Sequence, residues 1–363
     1  MTHPLISARK PILLLAVFLL MSASAFAQDY AKNAAALQAL LSDQTQMVVR
    51  IDGGKVDFDA LSQHLGTMMT NSTLKPEEQM GATMVTMMAV GVCRQIWEEH
   101  FAASGVKEFY TVTEKENFKF TAIPSAGLTP DAVTKISGLL SSGEGGGTVF
   151  ERFGFLISVT GADAEKIKTR FAAASDKERT NVTAALGATE GAAVSIVFAD
   201  PVQIFETPDI PSPFTPEQLG KIVWSTAAIS LVNAPRMALL VNMADAEAAK
   251  DIVTTFDTLM TAPPTEATSL LGMIKEKMAQ QGKGAEAEAE FAMVDYLWKT
   301  YKPEIKGTQI GMVIDLIPTI QKAMELFQPF ANAGAGMGGM GAEAPAADGI
   351  AAPNDDIFED EEN

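Results

Sequence analysis

Apolar positions along the chain follow two rhythms. Stretches that are β-branched or that alternate apolar with polar predict strands at Met47–Ile51, Phe109–Thr113, Phe118–Ile123, Phe153–Val159, Ala193–Phe198, Met237–Val241 and Gln309–Ile314, because successive strand side chains point to opposite faces. Helical spacing fills much of the sequence between them. Helix starts are marked where a short polar side chain can cap free N–H groups and the next residue is proline, as at Thr129-Pro130, Asp200-Pro201 and Thr215-Pro216. Thr215 to Gln218 reads as a capping box and predicts a helix through Leu219–Leu231.

The chain opens differently. Arg9 and Lys10 precede an unbroken apolar run, Ile12–Met21, and Ala25-Phe26-Ala27 fits the small-x-small cleavage rule. Residues 1–27 therefore read as a secretory signal peptide, cleaved between Ala27 and Gln28, and the product is expected in the periplasm or secreted. The run is too short to span a bilayer, and no cysteine near the cleavage site offers a lipid attachment point. The longest later apolar run, Met80–Val92, is also too short to cross a membrane and reads as a buried helix.

Two segments echo each other. Phe155-Leu-Ile-Ser-Val with Ala162-Asp-Ala-Glu resembles Met237-Ala-Leu-Leu-Val with Ala244-Asp-Ala-Glu, 82 residues on. Each predicts a strand running into an Asp cap, Asp163 or Asp245, with Glu165 or Glu247 in the helix's positive first turn. Weaker echoes place an aspartate directly after Val48-Val-Arg-Ile, Ile196-Val-Phe-Ala and Met312-Val-Ile. This pattern predicts an α+β fold of two related halves, 28–190 and 191–330, each with an antiparallel or mixed sheet packed by helices. A doubly wound parallel fold is the alternative. The boundary falls near Gly187–Gly191, with the Pro-rich Pro208–Pro216 as a loop inside the second half. From 331 to 363 the composition turns to Ala, Gly, Met and Pro and then to acid, which predicts a disordered tail.

Composition narrows the function. The chain of 363 residues is 47% hydrophobic, enough for a large core, and Cys93 is its only cysteine, so packing rather than an intramolecular disulfide must hold it. Its formal net charge is −18, and losing Arg9 and Lys10 with the leader takes this to −20. Such a surface repels nucleic acid and anionic lipid.

The candidate chemistry is sparse. Met80, Met84, Met87 and Met88 share a helical face near Cys93; thioethers bind Cu(I), but the same spacing is what a core helix requires. His64 and His100 stand in no ligand-spaced pair, and Cys93 within an apolar helix is expected to be an inert thiol. Two glycine-rich runs, Gly143–Gly147 and Gly334–Gly341, lack the strand-to-helix context of a phosphate cradle and read as a turn and a linker. Asp52, Asp57, Asp59, Asp200 and Asp315 are the carboxylates at strand ends that could converge, although as caps they already have a role. In the acidic tail, Ile357 and Phe358 are a candidate docking pair for a basic partner with apolar pockets, beside the simpler reading of a solubilising end.

Arg50-Ile-Asp-Gly-Gly-Lys-Val-Asp-Phe-Asp-Ala-Leu, followed by Gly105-Val-Lys-Glu-Phe-Tyr-Thr-Val-Thr, resembles the opening of uncharacterised exported proteins of planctomycete-type bacteria. The resemblance implies an exported α+β protein and carries no activity or site residues. The sequence thus points to an exported, non-enzymatic protein that binds an unknown protein or envelope partner and needs no cofactor. The alternative is a small-ligand or metal-binding protein using a cleft between the halves. A hydrolase acting through Asp52 or Asp200 ranks last.

Overall fold

The computed structural model describes residues 30–70, 76–115, 118–141, 147–160, 164–175, 178–200, 214–231, 234–261 and 284–336. They contain ten strands: β1 (Thr45–Asp52), β2 (Glu108–Glu114), β3 (Lys119–Pro124), β4 (Gly147–Arg152), β5 (Phe155–Thr160), β6 (Val194–Phe198), β7 (Ile222–Ser230), β8 (Arg236–Met243), β9 (Glu304–Lys306) and β10 (Gln309–Asp315). All ten join one antiparallel sheet in the order β4-β5-β3-β2-β1-β6-β7-β8-β10-β9. Counted outward from the centre, the first five strands run β1-β2-β3-β5-β4 and the last five run β6-β7-β8-β10-β9. β1 and β6 join the two sets, with Met47 opposite Phe198 and Ile51 opposite Val194. At one edge β9 has only three residues, Glu304, Ile305 and Lys306, all exposed.

The helices are α1 (Tyr30–Leu37), α2 (Phe58–Thr70), α3 (Pro76–Ile96), α4 (Pro130–Ser141), α5 (Ala164–Arg170), α6 (Thr180–Ala188), α7 (Pro216–Gly220), α8 (Ala246–Thr261), α9 (Gly284–Thr300) and α10 (Leu316–Gly336). With them the fold is α+β. Both faces of the central strands are covered, which is why Val48, Val49 and Ile51 of β1 are buried although they alternate between the two faces. Val49 and Ile51 pack on one face with Phe58 and Leu61 of α2, Val90 of α3 and Ile136 of α4. Val48 packs on the other face with Leu37 of α1, Ile167 of α5 and Val182 of α6. A third cluster sets Ala249 and Ile252 of α8 against Ile222, Met243 and Ile310. No helix among the described residues is long and apolar enough to cross a membrane.

A wide π turn, Trp97–Phe101, continues α3 and stacks Trp97, Phe101 and Phe109, with successive ring centroids 5.7 and 6.0 Å apart. Trp97 lies across Gly53, the first residue after β1, where a Cβ would stand 1.9 Å from the indole. Glycine is required there for close approach. In the β4–β5 hairpin it is required for backbone geometry, since Phe153 and Gly154 have φ of 54° and 80°, the positive values of a two-residue turn.

Every segment expected as a strand is one, with ends shifted by a residue or two. Three expectations are corrected. The capping box at Thr215 forms, yet its helix stops at Gly220, and Ile222–Ser230 is strand β7 rather than helix. The segment is rich in β-branched residues and Trp, and it lies paired between β6 and β8. The stripe on α3 is not core: Met80, Met84 and Met88 are exposed, and Val90, Cys93 and Trp97 on the opposite side face inward. Finally, α10 continues to Gly336, past Phe330, where the tail was expected to begin.

The strongest sequence echo maps onto β5–α5 and β8–α8, which hold different places in the strand order, whereas the weaker echo after Ile51 and Ala199 falls on the central pair, β1 and β6. The chain divides into two units, 1–327, which holds the whole sheet, and 328–363. The signal-peptide segment, the Asp163 cap, residues 201–213, most of Gly143–Gly147, and Ile357 and Phe358 lie outside the described residues.

Candidate functional site

Charged and hydroxyl side chains converge on the sheet's central strands. Arg50 and Asp52 project from the same face of β1, opposite Tyr110 and Glu108 of β2, while Ser195 of β6 faces Arg50 from the other side. All five are buried. One Arg50 Nη donates to the carbonyl of Thr189, just past α6 (2.6 Å), and to Ser195 Oγ (3.2 Å). Glu108 Oε1 accepts from Asn33 Nδ2 of α1 (2.7 Å) and from the Tyr110 hydroxyl (2.9 Å). Asp52 accepts from the Gly54 N–H (2.9 Å) and lies 3.5 Å from Lys55 Nζ.

Burial pushes the Glu108 carboxyl above its ordinary pKa, against the opposing pull of Asn33, Arg50 and Tyr110. The Tyr110 phenol is raised too, first by burial and then by the neighbouring carboxylate. Glu108 Oε2 is buried without a hydrogen-bond partner. A perturbed carboxylate can mark an active site, but ion-pair networks inside folds perturb pKa values as well. Here the bonds run to α1 and to the end of α6, so the cluster fastens two helices to the sheet. The two described surface depressions are built elsewhere. One is lined by Leu240, Tyr301, Lys302, Glu304, Gln309 and Val313. The other lies around Thr215, Glu217, Lys221 and Asp251.

Asp57, Asp59 and Asp315 are each engaged separately, and Asp200 is exposed just past β6. Asp57 caps α2, accepting from the Asp59 and Ala60 N–H groups; Asp59 pairs with Arg94 at 2.8 Å and Asp315 with Arg236 at 2.8 Å. Asp52 alone belongs to the buried cluster. His64 sits half-buried on α2, and His100 sits half-buried in the π turn. Cys93 is buried, and desolvation raises its thiol pKa. Among the described residues no three of His, Cys, Asp and Glu come together as a metal site. Arg50, Glu108 and Tyr110 were not singled out from sequence. Their available signal was a charged residue inside the strand run Val48-Val-Arg-Ile.

The other distinctive feature is α3. It packs against α2 on its inner side, where Met87 touches the Gly66 position. Its outer side carries Met80, Met84, Val85, Met88 and Val92, from 48% exposed at Val92 to 72% at Met80. Gly81 and Gly91 lie on the same side, open to solvent. These residues recur at the i, i+3, i+4 spacing of a single helical face, and none of residues 79–93 is charged. Together they form a contiguous apolar face on the outside of the helix. No family model, curated protein or solved structure matches the chain.

Proposed function

We propose that this is an exported, non-catalytic protein that acts by holding a macromolecular partner in the cell envelope or outside the cell. The observation that carries the reading is the uncharged Met and Val face of α3. Methionine is a flexible, polarizable side chain suited to adaptable binding surfaces. Two further observations support it: the perturbed carboxylate Glu108 is occupied by Asn33 of α1 and Tyr110 of β2, and Asp57, Asp59 and Asp315 have separate structural partners. Export rests on the Arg9-Lys10 segment, the apolar run and Ala25-Phe26-Ala27, and on the resemblance to exported bacterial proteins. The repeated strand order about the β1–β6 join supports two related halves. The acidic tail with Ile357 and Phe358 is a second, independent point of attachment in this proposal.

The test is photocrosslinking in the native host from a reactive residue at Val85, with Lys306 as an exposed control. The expected result is a discrete higher-mass adduct from position 85 and none from 306. Unreacted chain from both positions would refute the reading. Sequencing the mature N-terminus in the exported fraction should find Gln28 as the first residue, whereas an intact Met1 in the cytoplasm removes the envelope from the proposal.

A further inference from the structure

On the sheet face that carries Val48, one row of opposed residues runs from Phe120 of β3 through Val48 of β1 and Thr226 of β7 to Leu240 of β8 and Gly311 of β10. Phe120, Val48 and Thr226 are buried, whereas Leu240 and Gly311 are only half-buried. Val313, two residues further along β10 and so on the same face, is 54% exposed. The opening has a counterpart that is closed. In the first set of strands α5, which follows β5, sets Ile167 and Phe171 in the Val48 cluster, with the Phe171 ring 5.2 Å from that of Phe120. Counted outward from the centre, β10 holds the place of β5, and α10 follows it. Yet α10 sets Leu316 and Ile320 in the cluster of Val49 and Ile51, on the opposite face. The seat that α5 fills in one half is left open in the other.

This open seat is a depression of about 440 Å³, within the size range of small-molecule pockets. We propose that it binds a small amphiphilic anion, an apolar body carrying one carboxylate. The site is separate from the α3 face and goes beyond the partner-holding role. Leu240, Gly311 and Val313 form its apolar floor, low at Gly311 because no side chain stands there. Tyr301 is a held wall, its hydroxyl donating to the Asp315 carbonyl (3.2 Å) and accepting from Thr319 (3.3 Å). Charge sets the sign of the ligand. The lining holds two cations, Lys302 and Lys306, against one carboxylate, Glu304, on a chain whose formal net charge is −18. Glu304 and Lys306 pair at 2.9 Å. Lys302 is held more loosely: it is 59% exposed, 4.0 Å from Asp257, with its ammonium 4.8 Å from the centre of the Trp298 ring. A carboxylate whose apolar body lies on the floor therefore meets Lys302 at the rim.

Calorimetric titration of the purified exported protein with decanoate tests this, with decanol and decyltrimethylammonium as neutral and cationic controls of equal apolar length. One decanoate site is expected, with a dissociation constant between about 10 μM and about 1 mM, and both controls should bind more weakly. Lys302→Glu should weaken decanoate by about tenfold, since an exposed attraction becomes a repulsion of similar size. Val313→Glu, which puts a carboxylate on the apolar floor, should weaken it by about tenfold or more. Both side chains are exposed, so the thermal midpoint and circular dichroism should not change. Met84→Glu, on the α3 face, should leave decanoate binding as it is. Absence of decanoate binding, equal binding of decanol or decyltrimethylammonium, or an affinity indifferent to Val313→Glu overturns the proposal. Loss of decanoate binding in Met84→Glu places the amphiphile on α3 and overturns it too. Crosslinking from Val85 in cells reads the partner surface separately, so either reading can fail without the other.

Discussion

Glu108 shows how a buried carboxylate can belong to a fold without belonging to an active site. Its Oε1 takes two hydrogen bonds while Oε2 takes none, and burial holds its pKa above the ordinary value of about 4.3. The folded protein therefore keeps this proton at a pH where the unfolded chain has released it. The associated stability is complete below about pH 4 and is lost as pH rises through the folded-state pKa. Urea unfolding of the wild type and Glu108→Gln at a series of pH values should diverge on this account. Relative to the variant, the wild type should lose stability as pH rises from about 4 toward neutrality, in the window that linkage assigns to this carboxyl. Tyr110→Phe removes one of the two donors and should cost about 1–3 kcal/mol at neutral pH. Sequence reading reached Asp52 by its position after a strand but passed over Arg50, Glu108 and Tyr110. Their partnership depends on the β1–β2 register, which places residues more than fifty apart directly opposite each other.

At the level of elements, the errors have a common origin. The capping box at Thr215 predicts a helix running on through β7. A short apolar run does not distinguish a buried strand from a buried helix by period alone, and pairing on both edges by β6 and β8 decides it. α3 was expected to bury its methionines because they recur at helical spacing. Val90, Cys93 and Trp97 recur at helical spacing on the opposite side. When both sides of a helix are apolar, period establishes the helix but not which side faces inward. The seating of α3 rests on Trp97 over Gly53, where even a methyl group would collide with the indole. Gly53→Ala should therefore cost about 1–3 kcal/mol, the usual penalty for overpacking, read as a lower urea midpoint. A variant as stable as the wild type would show that Trp97 does not hold α3 against the strand end.

For the whole molecule, the decisive contact is β1 with β6. Strand positions and the α+β class were legible from alternation and caps, but the union of all ten strands in one sheet was not. It depends on which edges meet, and apolar patterning does not encode that. Five paired positions from Met47–Phe198 to Ile51–Val194 make the two five-strand sets continuous. The core clusters on both faces also cross the join, as with Val49 and Val194 on one face and Val48 and Val197 on the other. Calorimetry should accordingly give a single unfolding transition for residues 30–327, with the calorimetric enthalpy matching the van't Hoff value. Two resolved transitions would mean that the halves unfold independently despite the shared sheet.

The three-residue strand at the end of this sheet has a consequence of another kind. A β-sheet edge is a growing end, able to take on another strand wherever its backbone groups are free and its side chains permit approach. Here that end is Glu304-Ile305-Lys306, one short turn of charge paired along its own strand at 2.9 Å. In the language of polymer chemistry the sheet is end-capped: an incoming chain finds too few backbone sites to propagate and must displace ions to reach them. Strand addition at this edge is thus disfavoured, and the longer edge strand β4, Gly147–Arg152, is the end of the sheet with more free backbone.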